Sequence, residues 1–146
     1  MRLPEEAALT NLVTTSANHL LDVSLGTVTW TGTGAPVPPM FLHLTSNAPT
    51  ASTAGSAVTG SGYTAASILF NASSAGATTG PTAGQGAISW TNGSGGPWTI
   101  TGAEIWDSAG SPVRWWWGLW NSGVAITIPS TAQFQVNVGG CAVSLT

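Results

Sequence analysis

Residues 111–123 read SPVRWWWGLWNSG, with four tryptophans inside six positions and one of the chain's two basic side chains beside them. Thr, Val, Ile and Trp punctuated by Gly, Pro and Asn dominate the surrounding sequence, which is the vocabulary of short strands and turns. Taken as a strand over 113–120, successive side chains alternate between two faces. Val113, Trp115, Trp117 and Leu119 make one face, expected to be the core face. Arg114, Trp116, Gly118 and Trp120 make the other, which lacks the polar guard of a half-buried strand. Burying one tryptophan removes on the order of 200 Å² from water, worth about 5 kcal/mol at about 25 cal/mol/Å². Two exposed indoles on one patch forfeit that gain and invite aggregation. Trp116 and Trp120 therefore call for a cover: the chain's own helix or a loop, a subunit contact, or a stacked sugar ring. Gly118 between them would admit a neighbouring backbone, and Arg114 could stack on Trp116 or reach a carboxylate across an interface.

The rest of the chain extends this pattern. Strands are expected near 27–32, 40–45, 64–70, 86–91, 98–106, 113–120, 124–128, 132–138 and 141–145. Small-residue loops are expected at 46–62 and 71–85, and Asn92-Gly93 signals a turn within a longer connection. Many short strands with turns between them predict an antiparallel β-sandwich of jelly-roll type. Ahead of it, residues 4–25 carry a helical stripe of Leu9, Leu12, Val13, Ala17, Leu20 and Leu21. Pro4, Glu5 and Glu6 suit its start and Gly26 its stop. The expected organisation is a helical segment over 1–26 and a β-sandwich over 27–146. The helix stripe must be buried on its own sandwich or on a neighbouring subunit.

Composition narrows the function. Only 5% of the 146 residues are charged, and the net charge is -3, against roughly 25% charged in an average chain. With no lysine, and Arg2 and Arg114 as its only basic residues, the chain has no footprint for a phosphate backbone or an anionic membrane. No nucleic-acid partner and no membrane partner are expected. No apolar run reaches the roughly 18–20 residues of a membrane span, and the N-terminus does not read as a signal peptide. So uncharged a surface stays soluble through hydroxyl groups or by packing against other subunits.

Catalytic material is scarce. Glu104 and Asp107 are three apart, so a continuous strand would turn them to opposite faces, and Asp107 is expected to cap the turn DSAGSP. His19 with Asp22 suits a surface pair, His43 a structural strand residue, and Cys141 a buried thiol. No metal-ligand spacing occurs. No enzyme activity, metal or cofactor is expected.

NHLLDVSLGT, MFLHLTSNAPTA, GSGYTAASILF, AISWTNG, WTITGAEIWDSAGSPVRWWWGLW and ITIPSTAQFQVNVGGCAVSL, in that order, resemble a group of small bacteriophage virion proteins. These are labelled tail fibre, minor tail or head decoration proteins. The chain departs from the family pattern at Thr64, where an arginine often follows the tyrosine, and at WWWGLW, which replaces a milder aliphatic stretch. The resemblance implies a β-sandwich structural subunit of a virion, made in the host cytoplasm. On this reading the expected role is a capsid decoration subunit, a homotrimer bound to the major capsid protein. Its contacts are expected through Leu9, Leu12, Val13, Leu20, Arg114, Trp116 and Trp120. The alternatives are a tail fibre or minor tail protein partnered by other tail proteins, and a carbohydrate-binding module.

Overall fold

Alternation builds the central sheet. In the sequence MFLHLT, Met40, Leu42 and Leu44 share one face and are buried, while Phe41 and His43 on the other are only partly covered. The computed structural model describes residues 14–29 and 34–145. In chain order it contains α1 (Thr14–Ser24), β1 (Met40–Thr45), β2 (Ala66–Ile68), β3 (Ala77–Gly80), β4 (Ile88–Thr91) and β5 (Trp98–Ile100). There follow β6 (Gly102–Trp106), β7 (Arg114–Leu119), a short 3-10 turn (Trp120–Gly123), β8 (Ile126–Ile128), β9 (Gln133–Val136) and β10 (Cys141–Ser144). The fold is mainly β with antiparallel sheets and one short helix near its start, as the sequence predicts.

The largest sheet has the order β2-β1-β6-β7, and β3/β10, β4/β9 and β5/β8 form two-stranded pairs. Leu42 lies opposite Ile105, and Ile105 opposite Trp116, so one row of inward side chains crosses three strands. The residues after β2 carry its hydrogen bonding on to β3: Asn71 N donates to Thr79 O at 3.0 Å and Thr82 N to Leu69 O at 3.1 Å. One hydrogen-bonded path therefore runs from β10 through β3, β2, β1 and β6 to β7. Its two ends, β10 and β7, do not pair with each other. Side chains from all four sheets meet in a single apolar core that includes Leu42, Leu44, Trp90, Trp98, Ile100 and Ile128.

Helix α1 lies on this same body. Leu21 and Leu25 enter the core, and Asn18 Oδ1 accepts from Gly76 N at 2.6 Å. Its end is a Schellman arrangement: Thr27 N donates to Asp22 O at 2.9 Å and Gly26 N to Val23 O at 3.2 Å, with Gly26 at φ +71°. Glycine bears that left-handed conformation at little cost. The described helix begins at Thr14; the expected turns over 4–13 lie outside the described residues.

Four sequence expectations are corrected. Thr27–Thr29 form no strand, because the helix cap engages the N–H groups of Thr27 and Val28; the rest of the expected strand, at 30–32, lies outside the described residues. The single strand over 98–106 is two strands, broken at Thr101, whose N–H donates to Thr45 O at 2.8 Å. There the chain leaves β8 and joins β1. The supposed loop at 71–85 contains β3, whose ATTG sequence earns its place through backbone pairing with β10 rather than through apolar side chains. The loop at 46–62 buries Val58 against β1, its N–H donating to Leu44 O at 3.0 Å.

Candidate functional site

β7 is the edge of the largest sheet, and its two faces are not those that strict alternation gives. Arg114 lies opposite Trp106 and Trp116 opposite Ile105, so Trp115 is an extra residue in a β-bulge. A bulge inserts one residue into one strand and reverses the facing of everything beyond it. Trp116 therefore sits on the core side with the buried Ile105. Arg114 shares the outer side with Trp117, which is opposite Glu104. Trp117 and Leu119, expected in the core, are 45% and 46% exposed. This overturns the expected facing of Trp116, Trp117, Leu119 and Trp120, and Val113, expected in the core, is also exposed.

The inner tryptophans are held within their own chain. Trp116 Nε1 donates to Ser24 Oγ at 3.0 Å, fastening β7 to the end of α1. Trp115 Nε1 donates to Asp107 Oδ2 at 3.1 Å. Trp120 meets Phe134 edge to face at a centroid distance of 5.9 Å. Its Nε1 is shut off from water with no acceptor among the described residues, a condition that costs about 1–3 kcal/mol. Directly after it, Asn121, Ser122 and Gly123 all adopt positive φ, +46°, +55° and +84°. Left-handed backbone at two successive non-glycine residues is strained.

On the outer face Arg114 finds its carboxylate inside the chain. Its Nη1 donates to Glu104 Oε1 at 2.7 Å and to Thr53 O at 2.9 Å, and its Nη2 to Ala51 O at 3.0 Å. Glu104, almost fully buried, also accepts from Gly55 N and from Trp106 Nε1, both at 2.9 Å. Arg114 thereby ties the loop around 51–55 across the sheet. A hollow of about 370 Å³ lies beside this pair, lined by His43, Thr45, Gly55, Trp106 and Pro112 among others. Burial holds the His43 imidazole below its ordinary pKa, against the opposing pull of Glu104.

Asp107 caps the turn between β6 and β7, as the sequence suggests, accepting from Val113 N at 2.8 Å and Ala109 N at 3.3 Å. Burial would raise its pKa. The hydrogen bonds from Val113, Trp115, Ala109 and Val37 outweigh that and hold it below the ordinary value.

A groove of about 250 Å³ lies between the two unpaired sheet ends, with Trp116–Trp120 on one wall, Cys141–Ser144 on the other and Ala103 and Ile105 behind. None of its lining residues carries a formal charge. Burial pushes the Cys141 thiol up to about 11, so it is a poor nucleophile at neutral pH. Among the described residues no three His, Cys, Asp or Glu side chains are grouped to hold a metal.

Of the expected contact residues, Leu9, Leu12 and Val13 lie outside the described residues. Leu20 is exposed on α1, Arg114 is engaged with Glu104, and Trp116 and Trp120 are partly buried against the core. Among the described ones, Arg114 lies on the outer face of β7 while Trp116 and Trp120 pack toward the core. The surface that strict alternation missed is the open β7 edge with Trp117 and Leu119. Only the bulge exposes it; the one glycine, Gly118, lies three residues past the bulge, and nothing at Trp115 marks it.

No curated protein and no solved structure matches the chain. A family model described as podophage GP4 fiber I protein gp80 matches residues 11–144. The match covers nearly the whole chain, in line with the resemblance that its strand motifs carry, and places it among structural components of phage virions. The chain belongs to the podophage GP4 fiber I protein gp80 family.

Proposed function

We propose that this chain is a structural subunit of a phage tail fibre, working by rigid packing against other virion proteins and other copies of itself. The family match over residues 11–144 carries this reading. It favours the tail over the capsid-decoration role that the sequence suggested. The physical character of the chain supports a packing role. Its surface is almost uncharged, its outer β7 face presents Trp117 and Leu119, and its buried polar groups are spent on fastening loops rather than on a reactive centre. Burial of such a face in an assembly stabilises the assembled form by mass action. In this reading residues 27–146 are the β domain and residues 1–26 the helical segment, whose described part, α1, packs on it.

Immunogold labelling or cryo-electron microscopy of intact particles tests the assignment. Density or label for this chain on tail fibres is the expected result. Label confined to the head lattice would overturn it in favour of decoration.

A further inference from the structure

The hollow beside the Arg114–Glu104 pair has fixed walls. His43 of β1 lies opposite Glu104 of β6 on the outer face of the largest sheet, and the loop over 51–57 is fastened above them. Gly55 N and Arg114 Nη1 both donate to Glu104 Oε1, at 2.9 and 2.7 Å, while Arg114 also holds Thr53 O and Ala51 O. A side chain at Gly55 would meet that of Thr45 at 2.6 Å, so only a glycine lets the loop come this close. Ala57 then joins the loop to Thr45 through a β-bridge. Between loop and sheet a space of about 370 Å³ stays open, at the lower end of the roughly 300–1,000 Å³ range of small-molecule pockets.

The chemistry of the lining selects what fits there. Ala54, Ala57 and Pro112 are apolar, and the rings of His43 and Trp106 adjoin at an interplanar angle of 40° with centroids 5.7 Å apart. Among the described residues the His43 ring has no hydrogen-bond partner. Burial keeps it neutral at neutral pH, so it offers one N–H donor and one acceptor nitrogen. Glu104 Oε2 accepts from Trp106 Nε1 alone, which leaves it room for a second donor. The carboxylate charge is already balanced by Arg114, so an ionic ligand would bring an unpaired charge into the hollow. The fitting occupant is neutral, with an apolar face for the indole and hydroxyls along its edge. We propose that this hollow binds a neutral saccharide, with one face of a pyranose ring against Trp106 and its hydroxyls bonded to His43 and Glu104. The negative face of an indole attracts the polarised C–H groups of such a ring, and a hydroxyl donated to a carboxylate makes one of the stronger hydrogen bonds. This goes beyond the packing role proposed above and does not depend on it.

The test titrates the full chain with the methyl glycosides of glucose, galactose, mannose and N-acetylglucosamine, and with that of glucuronic acid as the charged control. Tryptophan fluorescence and saturation-transfer NMR read the binding. At least one neutral glycoside is expected to bind with a dissociation constant of about 1 mM, and the glucuronide about tenfold or more weakly than that. His43→Phe keeps a ring but removes its nitrogens, and is expected to weaken binding about three- to tenfold. Ala54→Phe, at an exposed loop position, fills the hollow and is expected to abolish binding while circular dichroism stays that of the wild type. Either variant, folded and binding as the wild type does, would place the sugar elsewhere and overturn the proposal. Failure of every neutral glycoside to bind at tens of millimolar, or a preference for the glucuronide, likewise overturns it. A chain located on the fibres that binds no sugar would remove this site and leave the fibre assignment standing.

Discussion

Glu104 is where single residues matter most. Its carboxylate is almost fully buried and shared between Arg114, Trp106 Nε1 and Gly55 N. Removing one member of a buried ion pair strands the other, at a cost of about 3–5 kcal/mol, whereas replacing both costs far less. Arg114→Ala is therefore expected to lower unfolding free energy by about 3–5 kcal/mol in urea titrations, and adding Glu104→Gln to recover part of the loss. A change below about 1 kcal/mol for Arg114→Ala would show that the pair is solvated in solution. Titration adds a second expectation. His43 and Asp107 both have lowered pKa values in the fold, so protonation favours the unfolded chain in each case. The stability they contribute is complete above their unfolded values. It is expected to fall as the pH drops below about 6.5 for His43, and again below about 3.9 for Asp107. Melting temperatures across that range check this, with His43→Gln removing the upper step and Asp107→Asn the lower. The sequence showed Asp107 as a turn cap because DSAGSP is a local signal. It could not show the Arg114–Glu104 pair, since a bulge is what sets the two on one face.

At the scale of elements, the connections carry as much information as the strands. Asn92 is fully buried, its Nδ2 donating to Gly96 O at 3.0 Å and Ile128 O at 2.9 Å while Oδ1 accepts from Ser94 N at 2.9 Å. Its main chain also bonds Ala132 and Thr131. One side chain thus joins the ends of β4/β9 to those of β5/β8. Asn92→Ala leaves several buried partners unpaired, at about 1–3 kcal/mol for each fully buried group. A loss of at least about 2 kcal/mol in denaturant is expected, and a loss under about 0.5 kcal/mol would contradict the role. The Asn-Gly pair was legible as a turn; its work as a bridge between two strand pairs was not, because that depends on which strands become neighbours. The same limit hid β3. ATTG lacks an apolar alternation and becomes a strand only when β10 arrives from more than sixty residues further along. Where periodicity was strong, as in MFLHLT, FQV and the WTI of β5, strands formed where expected.

For the whole molecule, the clustered tryptophans are the thread. Run as a simple alternation, WWWGLW exposes Trp116 and Trp120 and hides Trp117. The bulge at Trp115 exchanges Trp116 and Trp117, so the need for a cover persists but moves to the outer face and to the open edge. Trp117→Ser is expected to leave stability within about 0.5 kcal/mol, as for exposed sites generally, while reducing association with other copies; Trp116→Ser, which breaks the tie to Ser24, is expected to destabilise the monomer instead. Denaturant melts paired with sedimentation velocity separate these outcomes. The most direct measurement of this chain's place and packing is a cryo-electron microscopy map of the intact phage at side-chain resolution. This chain is expected in the tail fibres, with Trp117 and Leu119 covered by a neighbouring subunit. A chain seated on the head, or one whose outer β7 face is open to solvent in the assembled particle, would contradict this reading.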